Sequence, residues 1–340
     1  MPSSRSGKRI VLKNKTIAVV VPAYNEQLLI SDVLANIPAY VDRIIVVDDK
    51  SKDGTAAVVR RRMAEDPRIL LIEHEFNAGV GAAIVTGYKK CLELGLDISA
   101  VMAGDNQMDP AELPRLLDPI VEGKADYVKG NRLITGEAWK IIPRARYLGN
   151  ATLSLLTKIA SGYWQIADFQ CGYSAISLDA LKILQLDRLY PRYGYPNHLL
   201  VMMNIFNLRV KDVPVRPIYN IGEKSGIKLY KVIPKIGWLL FKSFFWRLKE
   251  KYVIRDFHPL LFFYLFGFFF LPLGLLYGLF IFITRVFIRS LGVSEKIIHF
   301  AMTFCTPFGM LIDILLIITG LQFLLFAMWI DMENNRDLNR

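Results

Sequence analysis

Cysteine is scarce in this 340-residue chain. Cys91, Cys171 and Cys305 are far apart and odd in number. They give no disulfide framework and no Cys-x-x-Cys pair for a metal. Histidine is almost as rare: His74, His198, His258 and His299 show no His-x-x-His or His-Glu-x-x-His spacing, which argues against zinc chemistry. The first fifteen residues are basic and polar and lack the apolar stretch of a secretory signal. There are no internal repeats and no low-complexity linker.

What the chain has in excess is apolar residues, at 53%, with a mean hydropathy of +0.32. The excess is uneven. Residues 1–230 read as an ordinary globular domain, whereas Pro259–Ile288 and Phe300–Ile330 are dominated by Phe, Leu and Ile. Each block exceeds the ~20 residues a helix needs to cross a bilayer. Two long spans are expected, with broken helices or tight hairpins as the alternative. Asp313, inside the second block, is expected to face a helix partner or a polar cavity, since an unpaired charge in lipid is costly.

The net charge is +11. Lys242, Arg247, Lys249, Lys251 and Arg255 gather just before the first block, among Trp238, Phe241, Phe244, Phe245 and Trp246. That mixture suits lipid headgroups better than nucleic acid. It predicts an amphipathic interfacial region over 231–256, membrane helices over 257–332 and a polar tail over 333–340. The basic flanks favour a cytoplasmic catalytic domain, in a cell membrane or an ER-type membrane.

Within the first 120 residues, strand and helix patterns alternate. Short β-branched runs at Thr16–Val21, Arg43–Val47, Ile69–Ile72 and Ile98–Met102 read as buried parallel strands. Helical spacing follows at Glu26–Ile37, Thr55–Ala64, Gly79–Leu94 and Pro110–Ile120. Such alternation predicts a doubly wound α/β sheet with ligands at the carboxyl ends of its strands.

Four motifs fall at those strand ends. Pro22-Ala23-Tyr24-Asn25-Glu26 offers flat surfaces for a base and a carboxylate for its N–H groups or a ribose. In Val47-Asp48-Asp49-Lys50-Ser51-Lys52-Asp53, two acids point into the crevice, while Ser51 and Asp53 suit a turn and a helix cap. Asn77-Ala78-Gly79-Val80-Gly81 allows close approach, either to a phosphate or to packed neighbours. In Gly104-Asp105-Asn106-Gln107, a carboxylate and a carboxamide two apart can both face a divalent cation.

The order of these motifs resembles glycosyltransferase family 2, over about residues 16–230. The resemblance implies a GT-A (Rossmann-like) nucleotide-sugar-binding domain followed by an α-helical transmembrane domain. It implies that Pro22, Tyr24, Glu26, Val47 and Asp49 hold the nucleotide, and that Asp105 and Gln107 hold Mn²⁺ or Mg²⁺ with the diphosphate. Gly130-Asn131-Arg132 and Arg144-Ala145-Arg146 are similar to segments of polyprenyl-phosphate sugar synthases, which implies phosphate contacts for Arg132 and Arg146. A planar guanidinium suits that task because it bonds two phosphate oxygens at once. Asp168 resembles the acid beside the acceptor, and Glu223-Lys224-Ser225-Gly226-Ile227-Lys228 resembles a site-closing segment in which either Lys224 or Lys228 meets diphosphate, Lys228 being assigned to the nucleotide sugar and Lys224 to the lipid phosphate.

Two departures stand out. Ala103 replaces the first acid of the usual Asp-x-Asp, and Tyr219 stands where an arginine is usual. The function implied is inverting transfer of mannose from GDP-mannose to dolichyl (polyprenyl) phosphate, with Asp105, Arg132 and Asp168 as the catalytic set. A UDP-glucose or aminosugar version, or an inactive nucleotide-sugar-binding protein, are the alternatives. A lipid phosphate is already ionised near neutral pH, so Asp168 is expected to position groups rather than remove a proton. Nucleic acid is not an expected partner, and a homo-oligomer through the membrane blocks stays open.

Overall fold

The structure is a computed structural model describing residues 15–133, 144–216, 229–287 and 302–339, with the backbone alone for 144–151, 229–231, 287 and 339. The chain divides into two compact units, 1–247 with 335–340, and 248–334.

The first unit is built on a seven-stranded sheet of order β3-β2-β1-β4-β6-β5-β7. Its strands are β1 (Ile17–Ala23), β2 (Arg43–Asp48), β3 (Ile69–Glu73), β4 (Ile98–Val101), β5 (Tyr127–Asn131), β6 (Ser174–Ser177) and β7 (Val210–Pro214). The helices of this unit are α1 (Ile30–Asn36), α2 (Thr55–Glu65), α3 (Val80–Glu93), α4 (Leu113–Val121), α5 (Arg144–Ser161), α6 (Leu178–Ile183), α7 (Tyr195–Ile205) and α8 (Leu229–Lys249). Every residue of β1 is buried, because helices cover both faces of the sheet. Alternate residues of β1 and β2 therefore enter two separate cores. Ala18, Val20, Ile45 and Val47 pack with Ala83, Ile84 and Tyr88 of α3. Ile17, Val19, Val21, Ile44 and Val46 pack with residues of α1, α2 and α4. A Cβ on Gly87 of α3 would lie 2.2 Å from Val20 Cγ1, so only glycine lets that helix cross β1 so closely.

The doubly wound parallel expectation holds for β1 to β4, and the sheet beyond them is mixed. β6 runs antiparallel to both β4 and β5, while β5 and β7 are parallel. The helix expected from Glu26 begins later, at Ile30. Asn25 sits at φ 59°, and the loop is tied across to residues 51–55. Asn25 N–H donates to Ser51 Oγ (2.9 Å), Lys52 N–H to Asn25 Oδ1 (2.8 Å) and Glu26 N–H to Thr55 Oγ1 (2.9 Å). These bonds satisfy the Asn25 and Glu26 N–H groups, which a helix begun at Glu26 would leave without an intrahelical partner. The helix expected over 110–120 opens as a 3-10 turn, Pro110–Glu112, before α4.

Helix α8 is two-sided. Ile236, Leu240, Phe244 and Arg247 face inward, while Trp238, Phe241 and Phe245 are 58%, 54% and 42% exposed. Two of the five basic residues read as headgroup-facing are buried, which corrects that reading. Arg247 is 0% exposed and donates to the carbonyls of Ala160 (2.8 Å) and Ile159 (3.1 Å), and to Asn204 Oδ1 (3.4 Å). Lys251 is buried in the second unit. A buried guanidinium needs such acceptors to offset its desolvation. Residues 335–338 complete this unit: Asn335 is buried and accepts from Asn204 Nδ2 (2.8 Å), and Leu338 packs on the α3-side core.

The second unit holds a π-helical turn, Glu250–Arg255, and two 28-residue helices, α9 (Leu260–Phe287) and α10 (Pro307–Asn334). Both are long and apolar enough to cross a membrane, and only 17% and 11% of their most apolar windows is buried. That much exposed Phe, Leu and Ile suits an apolar solvent and suggests a membrane association. The pair is antiparallel and closely packed at small residues. Built Cβ atoms on Gly267, Gly274 and Gly320 would meet Leu324, Ile317 and Leu271 at 2.6, 2.7 and 2.3 Å. Asp313 of α10 lies against Gly278 of α9, its Oδ2 2.8 Å from where a Cβ would stand.

Candidate active site

The sheet polarity gathers the motifs on one edge. β1, β2, β4 and β5 all point their carboxyl ends the same way, and β6 runs against them. Residues 168–173, which precede β6, therefore reach the edge that carries residues 22–26, 48–55, 102–109 and 131–132.

At the nucleotide end, Tyr24 is exposed and Pro22 is buried at the end of β1. Val47 lies wholly within the α3-side core, so it forms the floor beneath Asp48 and Asp49. Asp49 is buried and already engaged. Its Oδ1 accepts from Ala78 N–H (2.8 Å) and pairs with His74 Nδ1 (2.9 Å); its Oδ2 accepts from Gly79 N–H (2.7 Å). Among the described residues Oδ2 takes a single donor and keeps capacity for one more, such as the N–H of a base. Thr86 Oγ1 holds the other face of His74 at 2.9 Å. The strand pattern gave no sign of His74, whose only cue was its place just past β3. Asp53 serves the turn, accepting from Thr55 N–H (3.0 Å) and Gln27 N–H (3.2 Å).

The glycine pair serves packing. Gly79 has φ 102°, and a Cβ there would lie 2.6 Å from the Pro191 carbonyl oxygen. One on Gly81 would lie 2.3 Å from that of Tyr190. Ala82 N–H, in the first turn of α3, donates to Pro191 O (3.0 Å), so a protein carbonyl takes a donor that a phosphate would have needed.

Asp105 and Gln107 sit in the loop after β4. Gln107 N–H donates to Asp105 Oδ1 (3.1 Å), and Asn106 between them has φ 59°. Tyr173 Oη donates to the Asp109 carbonyl (3.0 Å), tying this loop to the segment before β6. Across the edge, burial, then Asp105 and Asp53, push the Glu26 carboxyl up to about 7. Negative charge thus accumulates here with hard oxygen donors around it, which fits a divalent cation. Ala103 contributes no donor atom. Among the described residues no three His, Cys, Asp or Glu side chains converge as a metal cluster. A cation here would take Asp105 and Gln107 as its protein ligands and fill its shell with diphosphate and water.

At the other end, Arg132 follows β5 and forms a two-pronged pair with Asp168. Nε donates to Oδ2 (2.7 Å) and Nη2 to Oδ1 (3.1 Å), and the Arg132 backbone N–H adds a third bond to Oδ2 (3.2 Å). Gln170 and Cys171 N–H each donate to Oδ1 (3.1 Å). Asp168 is 3% exposed. Burial pushes its carboxyl up, but Arg132, Lys129 and these donors outweigh it and hold it below the usual carboxylate range. Lys129, wholly buried in β5, donates to the Cys171 carbonyl. Asn131 Nδ2 donates to Asp212 Oδ2 (2.6 Å) beside them. Lys129 escaped sequence reasoning, although a lysine inside an apolar strand is itself a cue, since buried charge needs partners. Arg146 lies in the first turn of α5, where the backbone alone is described; Lys224 and Lys228 lie outside the described residues.

One edge thus joins an acidic, cation-suited end to an end where Asp168 holds the Arg132 guanidinium in place, an arrangement for a ligand carrying phosphates. The fold has solved counterparts. Glucosyl-3-phosphoglycerate synthase from Mycobacterium tuberculosis, solved with Mn²⁺, UDP-glucose and phosphoglyceric acid, superposes with a TM-score of 0.54 at 19% identity, covering 73% of this chain and 85% of that one. The class is therefore a GT-A-like, Rossmann-related domain followed by helices that include two candidate membrane spans. Residues 18–184 match the model for glycosyl transferase family 2. The chain is 33% identical over 221 residues to the UDP-N-acetylglucosamine–dolichyl-phosphate N-acetylglucosaminyltransferase of Methanococcus voltae, covering 61% of this chain and 88% of the relative. It is 30% identical over 202 residues to the undecaprenyl-phosphate mannosyltransferase of Micrococcus luteus, covering 58% and 82%. The chain belongs to glycosyl transferase family 2.

Proposed function

We propose that this glycosyltransferase moves a hexose from a nucleotide sugar to a polyprenyl phosphate, of the dolichyl type, at a membrane surface. The observation that carries this reading is the Arg132–Asp168 pair, which sets a guanidinium opposite the acidic loop of Asp105 within a chain that also carries apolar, exposed helices. Tyr24 and Asp49 meet the base, and Glu26 meets the base or ribose. Asp105 and Gln107 hold Mn²⁺ or Mg²⁺, whose charge offsets that of the leaving diphosphate. Arg132 and Arg146 meet acceptor phosphate, and Lys224 or Lys228 the diphosphate.

A phosphate oxygen of the acceptor attacks the anomeric carbon. The bond from that carbon to the diphosphate breaks as the new bond forms, and configuration inverts. No proton has to move, because the acceptor phosphate is already ionised at neutral pH. Asp168 accordingly orients Arg132, and its low basicity suits that role. The basic residues flanking the apolar helices support a catalytic unit on the cytoplasmic side.

Mannose from GDP-mannose is the first donor to test, by resemblance. The Methanococcus voltae relative gives a second reading, N-acetylglucosamine from its UDP-sugar. The deciding experiment incubates the purified full chain with polyprenyl phosphate, Mn²⁺ and either GDP-mannose, UDP-N-acetylglucosamine or UDP-glucose. Sugar in the lipid fraction from one donor supports the reading and names the donor. Sugar reaching only a soluble acceptor removes the lipid.

A further inference from the structure

Lys129 has no part in the chemistry above, yet it is wholly buried beside the Arg132–Asp168 pair. Its ammonium donates to the Cys171 carbonyl, while Asp168 Oδ1 accepts from the Cys171 N–H. The Cys171 residue is thus held from both sides, by a lysine on β5 and by the carboxylate that pairs with Arg132. The charged and titratable groups facing Lys129 are Asp168, Arg132, Asp212 and the Cys171 thiol. Two cations and two carboxylates balance there. If Arg132 shares its fork with a substrate phosphate, Asp168 loses part of its counter-charge, and a buried carboxylate without one is costly. Burial disfavours the charged form of Lys129, and its acidic neighbours favour it.

We propose that Lys129 is a positioning residue for sugar transfer: it fixes the 168–171 turn through the Cys171 carbonyl and supplies the second positive charge that keeps Asp168 in place when Arg132 engages a phosphate. The proposal rests on the reading of Arg132 as a phosphate ligand. It acts through Asp168, so its signature is electrostatic and differs from that of a lost packing contact.

The test compares wild type, Lys129→Met and Lys129→Arg as purified full chains in two arms. In the first, thermal unfolding is followed from pH 7 down to about pH 2 without substrate. Lys129→Met should start from a lower Tm at pH 7 and lose less of it on acidification, because taking an opposite charge from beside Asp168 raises its folded-state pKa towards the unfolded value and shrinks the pH-dependent part. Lys129→Arg should restore the wild-type limb. In the second arm, transfer to polyprenyl phosphate is measured. Lys129→Met should lose at least about tenfold in kcat, with KM for the nucleotide sugar within about twofold of wild type, and Lys129→Arg should recover most of the loss.

An acid loss as large in Lys129→Met as in wild type, or a Lys129→Arg no better than Lys129→Met, overturns the proposal. If Lys129→Met does not fold, the pair Asp168→Asn and Lys129→Met/Asp168→Asn takes its place: the lysine change should cost little once the carboxylate is gone, and an undiminished cost refutes the coupling. The thermal arm uses no substrate. A shallower acid loss in a protein that transfers nothing to polyprenyl phosphate therefore sinks the acceptor reading and leaves the coupling of Lys129 to Asp168 standing.

Discussion

Replacing Asp168 by Asn changes almost no volume, so its effect can be worked from hydrogen bonds alone. Oδ1 accepts from Arg132 Nη2, Gln170 N–H and Cys171 N–H; Oδ2 accepts from Arg132 Nε and the Arg132 N–H. An amide has one acceptor oxygen. Whichever way it turns, its NH₂ faces at least two protein donors, and the guanidinium loses its counter-charge. Breaking one side of a buried pair typically costs about 3–5 kcal/mol. For a unit of this size each kcal/mol is about 2–4 °C in Tm, so a fall of roughly 6–20 °C is expected. The assay is calorimetry of the detergent-solubilised chain at pH 7, beside a transfer assay below the new Tm. Turnover should also fall roughly a hundredfold, as for loss of an oriented transition-state donor. A Tm within ~2 °C of wild type would refute the reasoning, because the pair would then contribute under about 1 kcal/mol.

Asp105→Ala should abolish cation-dependent turnover and leave Tm nearly unchanged; full activity with Mn²⁺ would remove the metal assignment. His198 is buried and accepts from Tyr190 N–H at 3.2 Å, and burial pushes its imidazole down to about 4. The unfolded chain therefore binds a proton first. The stability His198 contributes is present above pH ~6.5 and is lost as pH falls towards 4, on the order of 3 kcal/mol in all. His198→Gln should flatten the fall in Tm between pH 6.5 and 5, and an unchanged slope would count against it. Gly320→Leu should separate α9 from α10, because a Cβ there already lies 2.3 Å from the Leu271 nitrogen. The readout is a lower unfolding temperature in detergent, and an unaltered one would contradict the close packing.

The first four strands were legible because parallel strands covered on both faces read as uninterrupted β-branched runs. The two membrane-length blocks were legible by length alone. β6 was not, since four residues, Ser174–Ser177, carry too little pattern, and their antiparallel pairing is set by long-range partners. Helix α7 is buried on all sides and so presents no amphipathic stripe to read. At the site, residue types told which strand ends mattered, but not how each side chain is used. Asp49 is largely engaged by its own loop, and Gly79 and Gly81 accommodate Tyr190 and Pro191. Arg247 and Lys251 looked like headgroup cations because charge patterning along a helix does not show which face turns inward.

Asn335 and Leu338 lie beyond α10 in sequence yet belong to the core of the catalytic unit. The membrane pair is therefore an insertion in one body, leaving it after Arg247 and returning at Asn335. On the ribosome, residues 335–338 emerge only after both apolar helices have been made. The catalytic unit then lacks its last buried amide and an apolar plug until the hairpin has been synthesised and its far end brought home. Completion of the enzyme's core is in this way made to wait on the two apolar helices, and a chain whose residues 335–338 do not return loses the bond from Asn204 to Asn335.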